Sequence, residues 1–75
     1  MSITDIDIGK NVIITSIDGD SQLKRRLRAF GVGKNSKIKI VGESIGKQTI
    51  KISIGTTELA LRKSEAESIN VEEIK

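Results

Sequence analysis

The chain has 75 residues, with 13 Lys and Arg against 10 Asp and Glu, for a formal charge of +3. It contains no Cys, His, Pro, Trp or Tyr, and Phe30 is its one aromatic residue. Disulfides and thiolate metal sites are excluded, imidazole bases and ligands are absent, and the length leaves no room for a cleft between two domains, so 1–75 reads as one domain.

Apolar residues make up 36% of the chain and 14 of them are Ile, too many for the usual disordered composition. Stiff β-branched side chains favour strands. A charge of +3 permits anionic partners without demanding them. No apolar run approaches the length that spans a bilayer, so no direct membrane insertion is expected. The start, Met1-Ser2-Ile3-Thr4-Asp5, is acidic and lacks the apolar core of a secretory signal. The expectation is a cytoplasmic protein.

Ile3, Ile6 and Ile8 alternate loosely with Asp5 and Asp7 and read as a lead-in segment ending at Gly9-Lys10. Asn11 to Asp18 carries Val12, Ile13, Ile14 and Ile17, a β-branched run of strand length closed by the turn signal Asp18-Gly19. From Asp20 to Phe30 the period changes. Leu23, Leu27 and Phe30 fall at i, i+4 and i+7 on one helical face. Asp20 suits the N-cap, and Gly31 suits a left-handed C′ position.

Further strands are expected at Lys37–Val41, Thr49–Ile54, Glu58–Arg62 and Ile69–Val71. Ile50, Ile52 and Ile54 share one face of the second of these, as in an antiparallel sheet covered on one side. Gly42 and Gly46 bracket the loop before it. Ser64 and Glu67 have capping-box spacing for a short helical turn before the last strand. Ala66 and Ile69 are expected to close the core beneath Leu59 and Leu61. The pattern is mostly β: a small curled five-stranded barrel, with one α-helix after the first strand and a short helical turn before the last.

Three constellations invite a chemical reading. Gly42-Glu43-Ser44-Ile45-Gly46-Lys47-Gln48 resembles a phosphate loop. It has one residue too few between the glycines, Gln48 where a hydroxyl should ligate magnesium, and a strand pattern where a helix should follow. It reads as a hairpin loop. The carboxylates Asp5, Asp7, Asp18 and Asp20, and Glu65, Glu67, Glu72 and Glu73, read as turns and caps, since the spacing of a calcium loop is missing. No metal site, cofactor or catalytic residue is assigned, and the chain reads as a non-enzyme.

The basic run is the strongest electrostatic feature. At about 100° per residue, Lys24, Arg25 and Arg28 lie opposite the apolar stripe, while Arg26 sits at its edge where its stem can cover the core. A solvated helix face accounts for this arrangement, as does an interaction surface for an acidic protein patch or for phosphate. With Phe30 assigned to the apolar face, no stacking platform is left for nucleic acid.

Three blocks in order resemble the FeoA family, the small cytoplasmic partner proteins of bacterial ferrous-iron transport. They are Arg26-Leu27-Arg28-Ala29-Phe30-Gly31-Val32, the alternating pair Ile38-Lys39-Ile40 and Ile50-Lys51-Ile52, and Leu61-Arg62 followed by Ala66, Ile69 and Val71. The resemblance covers roughly Ile8 to Val71. Phe30 stands where the family usually has Leu. Lys34-Asn35 replaces the family's usual Pro-Gly, a turn that Asn can sustain because it tolerates the left-handed conformation. The prolines common in the family's central loop are absent from Glu43–Thr49.

The resemblance implies an SH3-like barrel, a family-level link to transition metals, and a partner: the large ferrous-iron membrane transporter with its GTPase-like cytoplasmic domain or pore. Lys24, Arg25 and Arg28, with Lys34 and Arg62, are the expected electrostatic contacts, and Ile45 the expected apolar anchor. Two other readings are a peptide-binding module akin to the C-terminal domains of iron-dependent repressors, and a weak nucleic-acid binder through the basic helix. Oligomeric state is left open.

Overall fold

Each segment expected to be a strand becomes one in the computed structural model, which describes residues 1–74. The strands are β1 (Asn11–Ile17), β2 (Lys37–Glu43), β3 (Thr49–Ile54), β4 (Thr57–Arg62) and β5 (Ile69–Glu73), and the helices are α1 (Ser21–Ala29) and α2 (Lys63–Glu67). A single 3-10 turn occupies Ile3–Asp5, and Ile45–Lys47 forms a tight turn with left-handed backbone at Gly46 and Lys47. The strands form one antiparallel sheet in the order β4-β3-β2-β1-β5. Register shifts between Ile14 and Ser16 and between Ile40 and Gly42 mark bulges, which sharpen the twist and let so short a sheet curl around its own core.

Strand period decides what lies inside. Val12 and Ile14, Ile38 and Ile40, Ile50 and Ile52, Leu59 and Leu61, and Ile69 and Val71 all face the core, and Ala66 of α2 joins them. The outer strands β4 and β5 are not paired with each other. Helix α2 packs against both, and the turn Ile3–Asp5 packs against α2 and β5, so these two pieces fill the gap. The Cα radius of gyration is 10.8 Å, close to the roughly 11 Å that a compact chain of this length should have.

The N-terminal segment carries more of the core than its loose alternation suggests. Ile3 and Ile6 are fully buried, one 3-10 turn apart. The Met1 carbonyl accepts from the Val71 amide at 2.7 Å, and Ser2 bridges to Asn70, so this stretch is laid against β5.

Helix α1 begins as its sequence implies. Asp20 Oδ1 accepts the Leu23 amide at 2.8 Å, satisfying a donor that has no helical partner. Its end corrects one expectation. Phe30 does not join the apolar face; it is the C-cap residue and 43% exposed. The chain turns there through a Schellman motif. The Gly31 amide donates to the Arg28 carbonyl at 2.9 Å and the Val32 amide to the Leu27 carbonyl at 2.9 Å, with Gly31 at φ +78°. Val32 and Leu27 are both buried in the one core cluster, so Val32 takes the core place expected for Phe30.

Two smaller corrections follow the same logic. Helix α2 starts at Lys63, and Glu65 rather than Glu67 reaches back, accepting the Arg62 amide at 2.9 Å. Gly42 lies inside β2 opposite Lys51, so the connecting loop begins only after Glu43. Asn35 adopts φ +73°, the left-handed turn residue the sequence called for.

Candidate functional site

The basic helix divides its labour by angle. Arg26 is exposed but reaches across the surface to other elements, with Nη1 donating to Glu65 Oε2 at 2.7 Å and Nη2 to the Ala60 carbonyl at 2.8 Å. Since Glu65 Oε1 holds the Arg62 amide, one carboxylate ties α1, β4 and α2 together. Arg26 is therefore a strut. The sequence placed it at the edge of the stripe, but only the fold brings Glu65 and Ala60 within its reach.

Lys24, Arg25 and Arg28 are exposed, and among the described residues none of them forms an ion pair. Three like charges within about 1.5 turns of helix stand free, with Phe30 exposed at the same helix end. Lys34 is exposed in the turn that follows. This turn is anchored to β1 by the Asn35 amide donating to the Ile14 carbonyl at 2.7 Å.

Arg62 lies at the other end of α1. It shares an open cleft of about 460 Å³ with Asp20, Leu23, Arg26 and Glu65. A second hollow of about 440 Å³ continues past Arg62 to Lys63, Glu67 and Gln48. The expected contact residues therefore fall into two groups. Lys24, Arg25, Arg28 and Lys34 belong to the exposed face and C-terminal end of α1. Arg62 and Ile45 belong to the end where β4 passes into α2 beside the β2–β3 loop.

That loop holds Ile45 at 98% exposure. Lys63, which the sequence reading passed over, adjoins it, because its amide donates to the Gln48 carbonyl at 3.0 Å. Its adjacency to Arg62 in the sequence was the available signal. Among the described residues, no group of three carboxylates is arranged to hold a metal ion. No helix of the described residues is long and apolar enough to cross a membrane.

Comparison with known proteins agrees with this architecture. The family model described as the FeoA domain matches residues 1–73. The putative Fe(2+) transport protein A of Campylobacter jejuni is 32% identical over 71 residues, covering 95% of this chain and 96% of its own. The solution structure of the FeoA protein from Chlorobium tepidum superposes with a TM-score of 0.93 at 24% identity, covering 100% of this chain and 71% of that one. The zinc-complexed FeoA of Stenotrophomonas maltophilia, described as a procaryotic SH3 domain protein, superposes with a TM-score of 0.81 at 25% identity over 96% of this chain and 89% of its own. A manganese-dependent transcriptional repressor shares the fold alone, with a TM-score of 0.86 at 18% identity, and this chain matches 36% of it. The five-stranded sheet is thus SH3-like, and with the family model matched from end to end of the fold, this chain belongs to the FeoA family.

Proposed function

We propose that this chain is a non-catalytic accessory module of ferrous-iron transport, acting in the cytoplasm by contact with the GTPase-like region or pore of the large membrane transporter. Family membership supplies the process. The observation that carries the contact is the free cationic face of α1: Lys24, Arg25 and Arg28 are exposed and without carboxylate partners among the described residues, while the neighbouring Arg26 is fully engaged. Lys34 extends this charge beyond the helix end, and Arg62 and Ile45 add a cation and an apolar anchor at the other end of the fold. Iron is the cargo of the process and need not touch this chain, whose described residues gather no donor set for it.

Exposed charges of this kind speed association and select partners more than they hold them. Reversing two of them should therefore act on binding and not on folding. Arg25→Glu combined with Arg28→Glu is expected to weaken capture of the transporter's cytoplasmic region about tenfold, with the on-rate changing most. The circular dichroism spectrum should stay unchanged. Unaltered binding would remove the α1 face from the interface.

The exposure of Phe30 favours one other reading. An aromatic ring beside three free cations is the minimum of a single-strand nucleic-acid platform. A net charge of +3 and a single ring weigh against it. Retention on RNA that falls steeply with salt would be its signature.

A further inference from the structure

A lone aliphatic side chain in solvent is ordinary. Ile45 differs, because the loop that presents it is both strained and fastened. Gly46 and Lys47 follow it at φ +73° and +57°. For Lys47 this is a conformation that residues with a Cβ adopt rarely, and one that persists only where the surroundings impose it.

The surroundings do impose it. Lys47 Nζ donates to the Thr4 carbonyl at 2.9 Å and lies 3.8 Å from the Glu43 carboxylate. The Lys47 amide donates to the Ser44 carbonyl at 2.9 Å. Ser44 and Thr49 close the base twice: the Ser44 amide donates to the Thr49 carbonyl, and the Thr49 amide donates to Ser44 Oγ, both at 2.9 Å. A side chain held out on such a base has little conformational freedom left to lose on binding.

The charge around the knob indicates what it fits. Thr49 pairs with Arg62 across β3 and β4, and the Lys63 amide bonds to the Gln48 carbonyl, so both cations start at the foot of the loop. Both are exposed, and among the described residues neither forms an ion pair. Of the carboxylates close by, Glu43 faces Lys47 and Glu65 is taken up by Arg26 and the Arg62 amide, leaving Glu67, which lines the hollow with Arg62 and Lys63.

The geometry points to Ile45 as a pre-organised anchor that enters an apolar pocket on a protein partner, with carboxylates on the pocket rim meeting Arg62 and Lys63. Lys47 is the positioning residue that holds the anchor outward. The partner's identity and the choice of Ile45 as anchor rest on the accessory-module reading above; the pre-organised loop, the role of Lys47 and the acidic rim that meets Arg62 and Lys63 are the addition.

The test is biosensor binding of the transporter's cytoplasmic region to the intact chain and its variants, with light scattering on each protein alone. Ile45→Asp is expected to weaken binding about thirtyfold, as for a desolvated central anchor, with Ile45→Val within about threefold. At 98% exposure, neither change should move the thermal midpoint. Lys47→Ala is expected to lose about fivefold and Lys47→Arg, which can still donate to Thr4, to restore it.

If the unaltered chain binds and Ile45→Asp binds as well, the anchor is overturned while the accessory reading stands. If the unaltered chain does not bind, the accessory reading falls and takes the anchor's partner with it. Failure of Lys47→Arg to restore affinity overturns the positioning role. A dimer of the unaltered chain that Ile45→Asp abolishes would assign the knob to a second copy and overturn the proposal.

Discussion

Leu27→Ala is expected to destabilise the fold by about 3 kcal/mol, within the range for fully buried leucines. Leu27 is the point where three dependencies meet. It is completely buried, it lies one turn from Leu23 on α1, and its carbonyl accepts the amide that closes the Schellman motif. Truncation leaves a cavity between α1 and the sheet and loosens the contact with Val32. A chain of this length has a total stability of roughly 4–11 kcal/mol, so the loss is a large share of it. Urea denaturation followed by far-ultraviolet circular dichroism is the appropriate measurement, because the chain has no Trp or Tyr to report by fluorescence. A loss below about 1 kcal/mol, ordinary for a surface site, would mean that α1 is not packed on the core as described.

Gly31→Val is the second large effect, expected at about 2 kcal/mol or more. Its cause is purely conformational. A Cβ at Gly31 would meet nothing within 4 Å, so the space is open. The backbone sits at φ +78°, however, where a β-branched side chain collides with its own peptide units. Gly31→Asn should cost much less, since Asn35 already occupies φ +73° a few residues on. Gly33→Ala, with open space and no left-handed φ, serves as the near-neutral control. Equal losses for Val and Asn at position 31 would show that space and not backbone is limiting. The same turn leaves Phe30 exposed at the end of α1.

The elements that proved legible share a local cause. Lys-Ile-Lys-Ile can bury one face only as a strand, and Leu23 with Leu27 can do so only as a helix, whatever else the chain does. Asp20 and Asn35 were readable because a cap and a left-handed turn each restrict the residue within a few positions. What sequence did not disclose depends on closure in three dimensions. Phe30 lies at the right helical angle for the core, but the helix ends one residue too early, and Val32 is the residue delivered there by the turn. Ile3 and Ile6 look like a loose lead-in until α2 and β5 are present to bury them. Arg26 differs from Arg25 and Arg28 only through Glu65 and Ala60, more than 30 positions away. Likewise, the six expected contact residues are one set by composition and two groups in space, since nothing local says that Arg62 and Ile45 share an end of the fold while Lys34 does not.

That division gives the SH3-like sheet an uncommon surface. The familiar use of the fold, reading proline-rich peptides in a groove lined by Tyr and Trp, needs residues this chain lacks. Its exposed face instead offers the α1 cations and, at the other end of the fold, Ile45 at 98% exposure.

The most direct measurement of this account is isothermal titration of the intact chain into the purified cytoplasmic region of the ferrous-iron transporter, at low and at physiological ionic strength. One saturable complex is expected, weakened by salt but not abolished, because the cations steer association while the apolar anchor holds it. An absence of binding at low ionic strength, where the cationic face acts most strongly, would contradict the claim that this protein works by contact with the transporter.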